Sequence, residues 1–373
     1  MMRAARLVAV LCCGLTALAQ QAAKFRSTET HADRSVTFRF SAPKAAKVEL
    51  LLENRAARLP MHKENDGVWT VTTEPLAPEI YGYRFAVDGR AETVRDPQNP
   101  AKRYGNSLLA IPGTPPKPWE RTAALRGTVT HHTYTTKTVV GLPANRSEFV
   151  VYTPPGYDPK ARPYPVLYLL HVWGDDAGSW VEFAQADVIL DNLIAERKAR
   201  PMVVVMPLGY GEMSFTKDYK VWDDRAAVAR NLSLFSKALL TEVIPQVEGA
   251  YNVRLDAAGR AVLGASMGGL ESLVVGLNHP ETFAWVGGES AALQHQDFGE
   301  LLALFSPKAP GRRLVWMVCG KDDELAGDNR RLADWLQAKG QQVNFEEPDG
   351  THSYIVWREG LVRFVQVIFP AGG

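Results

Sequence analysis

From about residue 135 to the end of the chain, short uninterrupted apolar runs alternate with stretches of helical length. That alternation leaves few folds open. The runs are 149–152, 166–170, 202–206, 261–263, 284–287 and 314–318. Helix-length patterns lie among them at 186–199, 232–247, 270–277 and 330–338, the last ending at Gly340. A strand that is apolar on both faces has to be covered on both, so the pattern predicts a mostly parallel α/β sheet with helices above and below it. In such sheets ligands bind beyond the carboxyl ends of the strands, and chemistry is expected there.

The preceding region reads differently. Residues 35–40, 47–52, 67–72 and 81–87 alternate apolar with polar, and turn signals such as Pro43-Lys44 and Asp88-Gly89 punctuate them. Period-2 alternation in short segments predicts a small all-β sandwich over 20–112. Four prolines then fall between Pro112 and Pro118; they cannot build a sheet interior and predict a semi-rigid spacer. The expected division is therefore a sandwich at 20–112, a proline-rich linker at 113–134 and an α/β domain at 135–373. The length of 373 residues agrees with roughly one domain per ~150 residues.

The amino terminus carries an export signature. Arg3 and Arg6 precede an apolar run at 7–18, and Ala17-Leu18-Ala19 offers an A-x-A cleavage site. The run is too short for a membrane span and predicts a bacterial-type signal peptide at 1–19, with a periplasmic or extracellular product. Residues 9–11 lack the small side chains that lipidation at Cys12 or Cys13 would need. Cleavage would remove two arginines and no acid, turning the formal charge from +1 to −1. It would also leave Cys319 as the only cysteine, without a disulfide partner. Near-neutral charge gives no electrostatic case for nucleic acid or an anionic membrane surface as a partner. The adjacent His131 and His132 would point to opposite faces of a strand, so no metal site is expected. The oligomeric state is left open.

Chemistry concentrates at Gly264-Ala265-Ser266-Met267-Gly268-Gly269, which follows the apolar run 261–263 and precedes the helical pattern at Leu270. A G-x-S-x-G between strand and helix is a nucleophile elbow: the glycines permit a sharp turn that presents Ser266 at the top of the sheet. The chain order for this elbow is serine, acid, histidine. Three histidines follow. His279, in Asn278-His279-Pro280, reads as a helix-ending cap, and His295, between glutamines, as a solvated loop residue. His352, in Asp349-Gly350-Thr351-His352-Ser353, lies between a strand at 343–346 and the last helix, where the base belongs. The acid is expected after the run 314–318, at Asp322 or Asp323, which position alone does not separate. Its role would be to fix the imidazole tautomer and stabilise the imidazolium. The oxyanion hole needs two backbone donors: Met267, after the nucleophile, and Val172 or Trp173 in the loop that follows His171. His171 itself reads as a core histidine bracing that loop. Residues 210–225, with Phe215, Tyr219 and Trp222, read as a loop lining the substrate cleft, or as one tucking its aromatics inward.

Further segments carry a family resemblance. They are 151–158, 168–171, 189–195, 206–211, 242–245, the Ser266 elbow, Cys319-Gly320-Lys321-Asp322-Asp323, Gly350-Thr351-His352 and Val356-Trp357-Arg358. In this order the chain resembles the esterase D, or feruloyl esterase, group of carbohydrate esterase family 1, with its enterochelin-esterase-like members. Pro60-Met61, Gly67-Val68-Trp69, Tyr81-Gly82-Tyr83 and Asp96-Pro97 resemble an immunoglobulin-like, carbohydrate-binding-type module often found ahead of such esterases. The resemblance implies an α/β-hydrolase domain behind the sandwich, a Ser266–Asp323–His352 triad and no cofactor. One departure stands out. The family's loop reads His-Gly-Gly or His-Gly-x-Gly, whereas His171-Val172-Trp173-Gly174 is bulkier, and Trp173 either stacks on an aromatic acyl group or sugar or packs under the loop.

The function these residues imply is a secreted serine carboxylesterase that cleaves feruloyl or acetyl esters of plant polysaccharide through an acyl-enzyme. Trp173, Tyr219 and Trp222 are the expected substrate contacts. Competing readings are a siderophore esterase of enterochelin type, acyl transfer to a sugar, and a glycan-binding protein with a decayed esterase domain. Trp69, Tyr81 and Tyr83 read as strand core rather than as a sugar platform.

Overall fold

A computed structural model describes residues 25–55, 57–103, 105–293, 298–305 and 314–370. The expected signal peptide with Cys12 and Cys13, and the His295 loop, lie outside the described residues.

The all-β unit contains a four-stranded and a six-stranded sheet. Burial alternates along Val36–Ser41 and Val48–Leu52, so each strand turns one face inward. The inward faces meet in a core that includes Phe38, Phe40, Leu50, Trp69, Tyr83 and Phe85. Trp69, Tyr81 and Tyr83 are all buried, which makes them core residues.

Among the described residues, the second unit holds eight strands: β1 (Thr128–Thr135), β2 (Arg146–Thr153), β3 (Val166–Leu170), β4 (Val203–Pro207), β5 (Arg260–Gly264), β6 (Trp285–Glu289), β7 (Leu314–Val318) and β8 (Val343–Glu346). They lie in the order β1-β2-β4-β3-β5-β6-β7-β8. β1 and β2 run antiparallel and the rest are parallel from β4 onward. Every residue of β3, β4, β5 and β6 is buried. One apolar cluster covers each face, built by helices that include α1 (Ala186–Ala195), α2 (Arg225–Ala238), α3 (Met267–Asn278), α4 (Ala326–Ala338) and α5 (Tyr354–Val367). This is the α/β-hydrolase fold behind an all-β domain.

Two expectations about the joint change. β1 begins at Thr128, inside the stretch expected to be linker. It is an edge strand with mostly exposed side chains, so it carries no apolar run to reveal it. The proline-rich segment, expected to be a semi-rigid spacer, is docked on the α/β unit. Trp119 is buried, and the Pro118 and Glu120 carbonyls accept hydrogen bonds from Asn192 Nδ2 on α1, both 2.8 Å.

The two units share an interior. Ile355 at the start of α5 packs against the sandwich core, while Ile80 and Leu108 of the sandwich pack against the α/β core. Between them Arg358 is fully buried and ion-paired to Glu79. Burial pushes the Glu79 carboxyl up to about 7, against the opposing pull of Arg358.

Candidate active site

β5 ends at Gly264 and α3 begins at Met267, which leaves two residues to reverse the chain. Ser266 adopts φ 53°, ψ −115°, a strained conformation for a residue with a Cβ. The turn must also pass close to β3: a Cβ at Gly268 would lie 2.6 Å from the Leu170 and His171 carbonyl oxygens. Glycine at that position is therefore a steric requirement.

The strained turn lifts Ser266 Oγ to 2.9 Å from His352 Nε2. His352 Nδ1 lies 3.0 Å from Asp323 Oδ2. His352 sits on the loop between β8 and α5, and Asp323 on the loop after β7. The side chain of Asp323 is fully buried, whereas Asp322 is exposed. Burial alone would raise the Asp323 carboxyl. Hydrogen bonding and charge from His352, the Leu325 N–H and the Ser290 hydroxyl outweigh it and hold the group below its usual range. An ionised acid at Nδ1 directs the other ring nitrogen, Nε2, at the serine as a proton acceptor.

The backbone N–H groups of Met267, Val172 and Trp173 make no hydrogen bond within the described residues. All three expected oxyanion donors thus remain available. Gly174 N–H instead donates to the Tyr210 hydroxyl at 2.7 Å. His171 is a buried brace: its Nε2 accepts from Gly209 N–H at 2.8 Å, and its Nδ1 donates to the Val172 carbonyl at 2.8 Å. His279 closes α3 and pairs with Glu281.

The expected substrate contacts divide. Trp173 is half-buried, donates Nε1–H to the Phe215 carbonyl and meets the Tyr219 ring edge-on at 5.3 Å. Tyr219 is 48% exposed. Trp222 is not a substrate contact: it is 2% exposed and packs against Phe215 in the α/β core. The short helical turns at Met213–Thr216 and Tyr219–Asp223 rotate Phe215 and Trp222 inward, because burying two large rings outweighs presenting them to water.

Several contributors escaped the sequence reading. Trp357 stands edge-on to the His352 ring at 4.9 Å and donates Nε1–H to Ser290 at 3.0 Å. More unexpected is the sandwich domain. Asn54 Oδ1 accepts Thr351 N–H at 2.8 Å, and Glu53 Oε1 accepts Tyr354 N–H at 3.0 Å. These bonds grip the chain on both sides of His352-Ser353 from almost 300 positions away, and no local pattern signals them. A cleft of about 310 Å³ opens at this junction, lined by Asn54, Arg55, Arg58, Arg84, Thr351 and His352 among others.

The sequence profile of the Esterase family matches residues 143–367, more than half of the chain. The chain belongs to the esterase family. Residues 24–98 match carbohydrate-binding module 48, the isoamylase N-terminal domain. The chain is 31% identical over 342 residues to an endo-1,4-beta-xylanase/feruloyl esterase of Xylanibacter ruminicola. The match covers 89% of this chain but 44% of that one, so the chain spans less than half that relative's length. It is also 25% identical over 231 residues to an acetyl esterase of Caldicellulosiruptor saccharolyticus, covering 53% and 80% of the two chains. Among solved structures, a CE1 ferulic acid esterase from Anaeromyces mucronatus superposes with TM-score 0.58 at 22% identity, covering 67% of this chain and 93% of that one. Enterochelin esterase from Shigella flexneri superposes with TM-score 0.70 at 20% identity over 91% and 94%. The second likeness extends through the sandwich as well as the α/β domain.

Proposed function

We propose that this protein is an exported serine carboxylesterase that releases feruloyl or acetyl groups from carbohydrate. The observation that carries this reading is the continuous hydrogen-bonded line from Ser266 through His352 to Asp323 at the carboxyl edge of the sheet. In the first half-reaction Ser266 Oγ attacks the ester carbonyl carbon as His352 Nε2 takes the hydroxyl proton. Asp323 accepts the Nδ1–H bond throughout and stabilises the imidazolium. The oxyanion is held by the Met267 N–H together with that of Val172 or Trp173. The bond from carbonyl carbon to alcohol oxygen then breaks, and His352 returns its proton to the departing alkoxide. Water, deprotonated by His352, attacks the acyl-enzyme and releases the acid and free Ser266.

Support for a carbohydrate ester comes from the names of the xylanase/feruloyl esterase and acetyl esterase relatives and from the module 48 match. Export fits the signal read at 1–19. The likeness to the Shigella enzyme across both domains favours a second reading, a siderophore ester. Hydrolysis of methyl ferulate and an aryl acetate by wild type and Ser266→Ala tests the proposal. Turnover of either ester that vanishes in the variant supports it, and undiminished turnover in the variant ends it.

A further inference from the structure

In the acyl-enzyme step the leaving alkoxide must receive its proton from His352. The alcohol half of the ester therefore lies on the His352 side of Ser266. His352, with Thr351 and Ser353, lines one wall of the cleft of about 310 Å³ whose other wall is the sandwich domain. Three guanidinium side chains line it: Arg55, Arg58 and Arg84. Arg58 leans toward Glu49 at 3.8 Å. Neither Arg55 nor Arg84 has an ion-pair partner among the described residues. The one acid in the lining, Glu53, has both oxygens occupied, by Gly82 N–H at 2.7 Å and Tyr354 N–H at 3.0 Å. Three like charges facing one small cleft repel unless an anion enters between them.

We propose that this cleft is a subsite for a carboxylate on the alcohol half of the substrate, so that the preferred ester is borne by an acidic, uronate-bearing carbohydrate. The inference rests on the serine esterase reading and adds the chemistry of the leaving group. Arg55 follows directly on Glu53 and Asn54, the two residues bonded to the His352 loop. Arg55 thereby leaves the backbone beside the residues that hold the His352 loop. A carboxylate anchored among the guanidiniums would position the scissile ester against Ser266.

The test uses a feruloylated xylo-oligosaccharide carrying a glucuronic acid branch, and the same compound with that uronate methyl-esterified. The two differ in the uronate's charge and one methyl group, and release of ferulate alone is followed. Wild type is expected to favour the charged ester about tenfold or more in kcat/KM. The preference should shrink in 0.5 M salt and fall toward unity in the Arg55→Gln/Arg84→Gln double variant. Because the readout is a ratio within one preparation, a loss of folded enzyme does not mimic the result. Binding of both compounds to Ser266→Ala, measured by calorimetry, reads the subsite without turnover. Equal kcat/KM and equal binding of the two compounds overturn the carboxylate subsite, as does a preference that survives the double variant. Charge-selective binding to Ser266→Ala, with no turnover of either compound by wild type, supports the subsite while removing the esterase reading.

Discussion

The two domains bury their strands in different ways. Val36–Ser41 of the sandwich alternates buried and half-exposed positions, whereas β3, β4, β5 and β6 are buried at every position. A sheet covered on both faces can offer chemistry only at its edge, where loops leave the strands. A sandwich keeps its outer faces and loops free to dock. Here that freedom carries Glu53, Asn54 and Glu79 into contact with the α/β domain, two of them beside the loop that holds His352. The hydrogen-bonded Ser266, His352 and Asp323 thus come from one domain and part of their support from the other.

The comparison breaks most visibly at the nucleophile. Ser266→Ala should lower kcat by about 10⁴-fold or more, with thermal stability unchanged. Steady-state turnover beside a melting curve measures both, and residual activity near wild type would remove Ser266 from the chemistry. The next largest effect belongs to the domain junction. Glu79→Ala leaves the Arg358 charge buried without its partner and should cost about 3–5 kcal/mol of stability. A denaturant titration reads this, and a loss below ~1 kcal/mol would mean that the pair does not hold the domains together.

Asn54 gives the sharper test of whether the sandwich serves the active site. It adopts φ 61°, so alanine would add backbone strain, while glycine removes only the carboxamide. Asn54→Gly is expected to lower kcat about tenfold with KM nearly constant, since small displacements of a catalytic group are costly. Asn54→Asp, which keeps an acceptor for Thr351 N–H, should recover most of the loss. A glycine variant with wild-type kcat would make the sandwich a passenger in catalysis.

The mildest expected effect is a pH slope. Glu289 and Glu271 are fully buried, and desolvation holds both carboxyls well above the ordinary value of 4.5. Neither oxygen of Glu289 has a hydrogen-bond partner among the described residues. Above pH 4.5 the unfolded chain gives up these protons while the native state keeps them, so stability falls as pH rises. Below that pH both states are protonated and the effect disappears. Glu289→Gln removes one contributor and should flatten the decline between pH 5 and 7.5, measured by denaturant midpoints. An unchanged slope would place the titrating groups elsewhere.

Much of the site was legible in the residues. Gly264 to Gly269 announced the elbow because a turn this tight next to β3 excludes a Cβ at Gly268. His352 followed from chain order, and Asp323 from a resemblance rather than from its spacing. Trp222 misled, because an aromatic in an irregular segment reads the same whether it turns toward a cleft or toward the core. β1 stayed hidden because an exposed edge strand has no apolar run.

What the sequence by itself determined is whatever short-range pattern encodes: the doubly covered sheet and the sharp strand-to-helix turn at Ser266. Each depends on periodicity or backbone conformation within a few residues. Only the tertiary structure decided that Asn54, of the other domain, holds the residue next to His352. The same is true of the arginines of the sandwich, which share a cleft with the base. Those relations arise where two separately patterned surfaces dock. Docking follows the shape and polarity of whole faces, to which residues hundreds of positions apart contribute together.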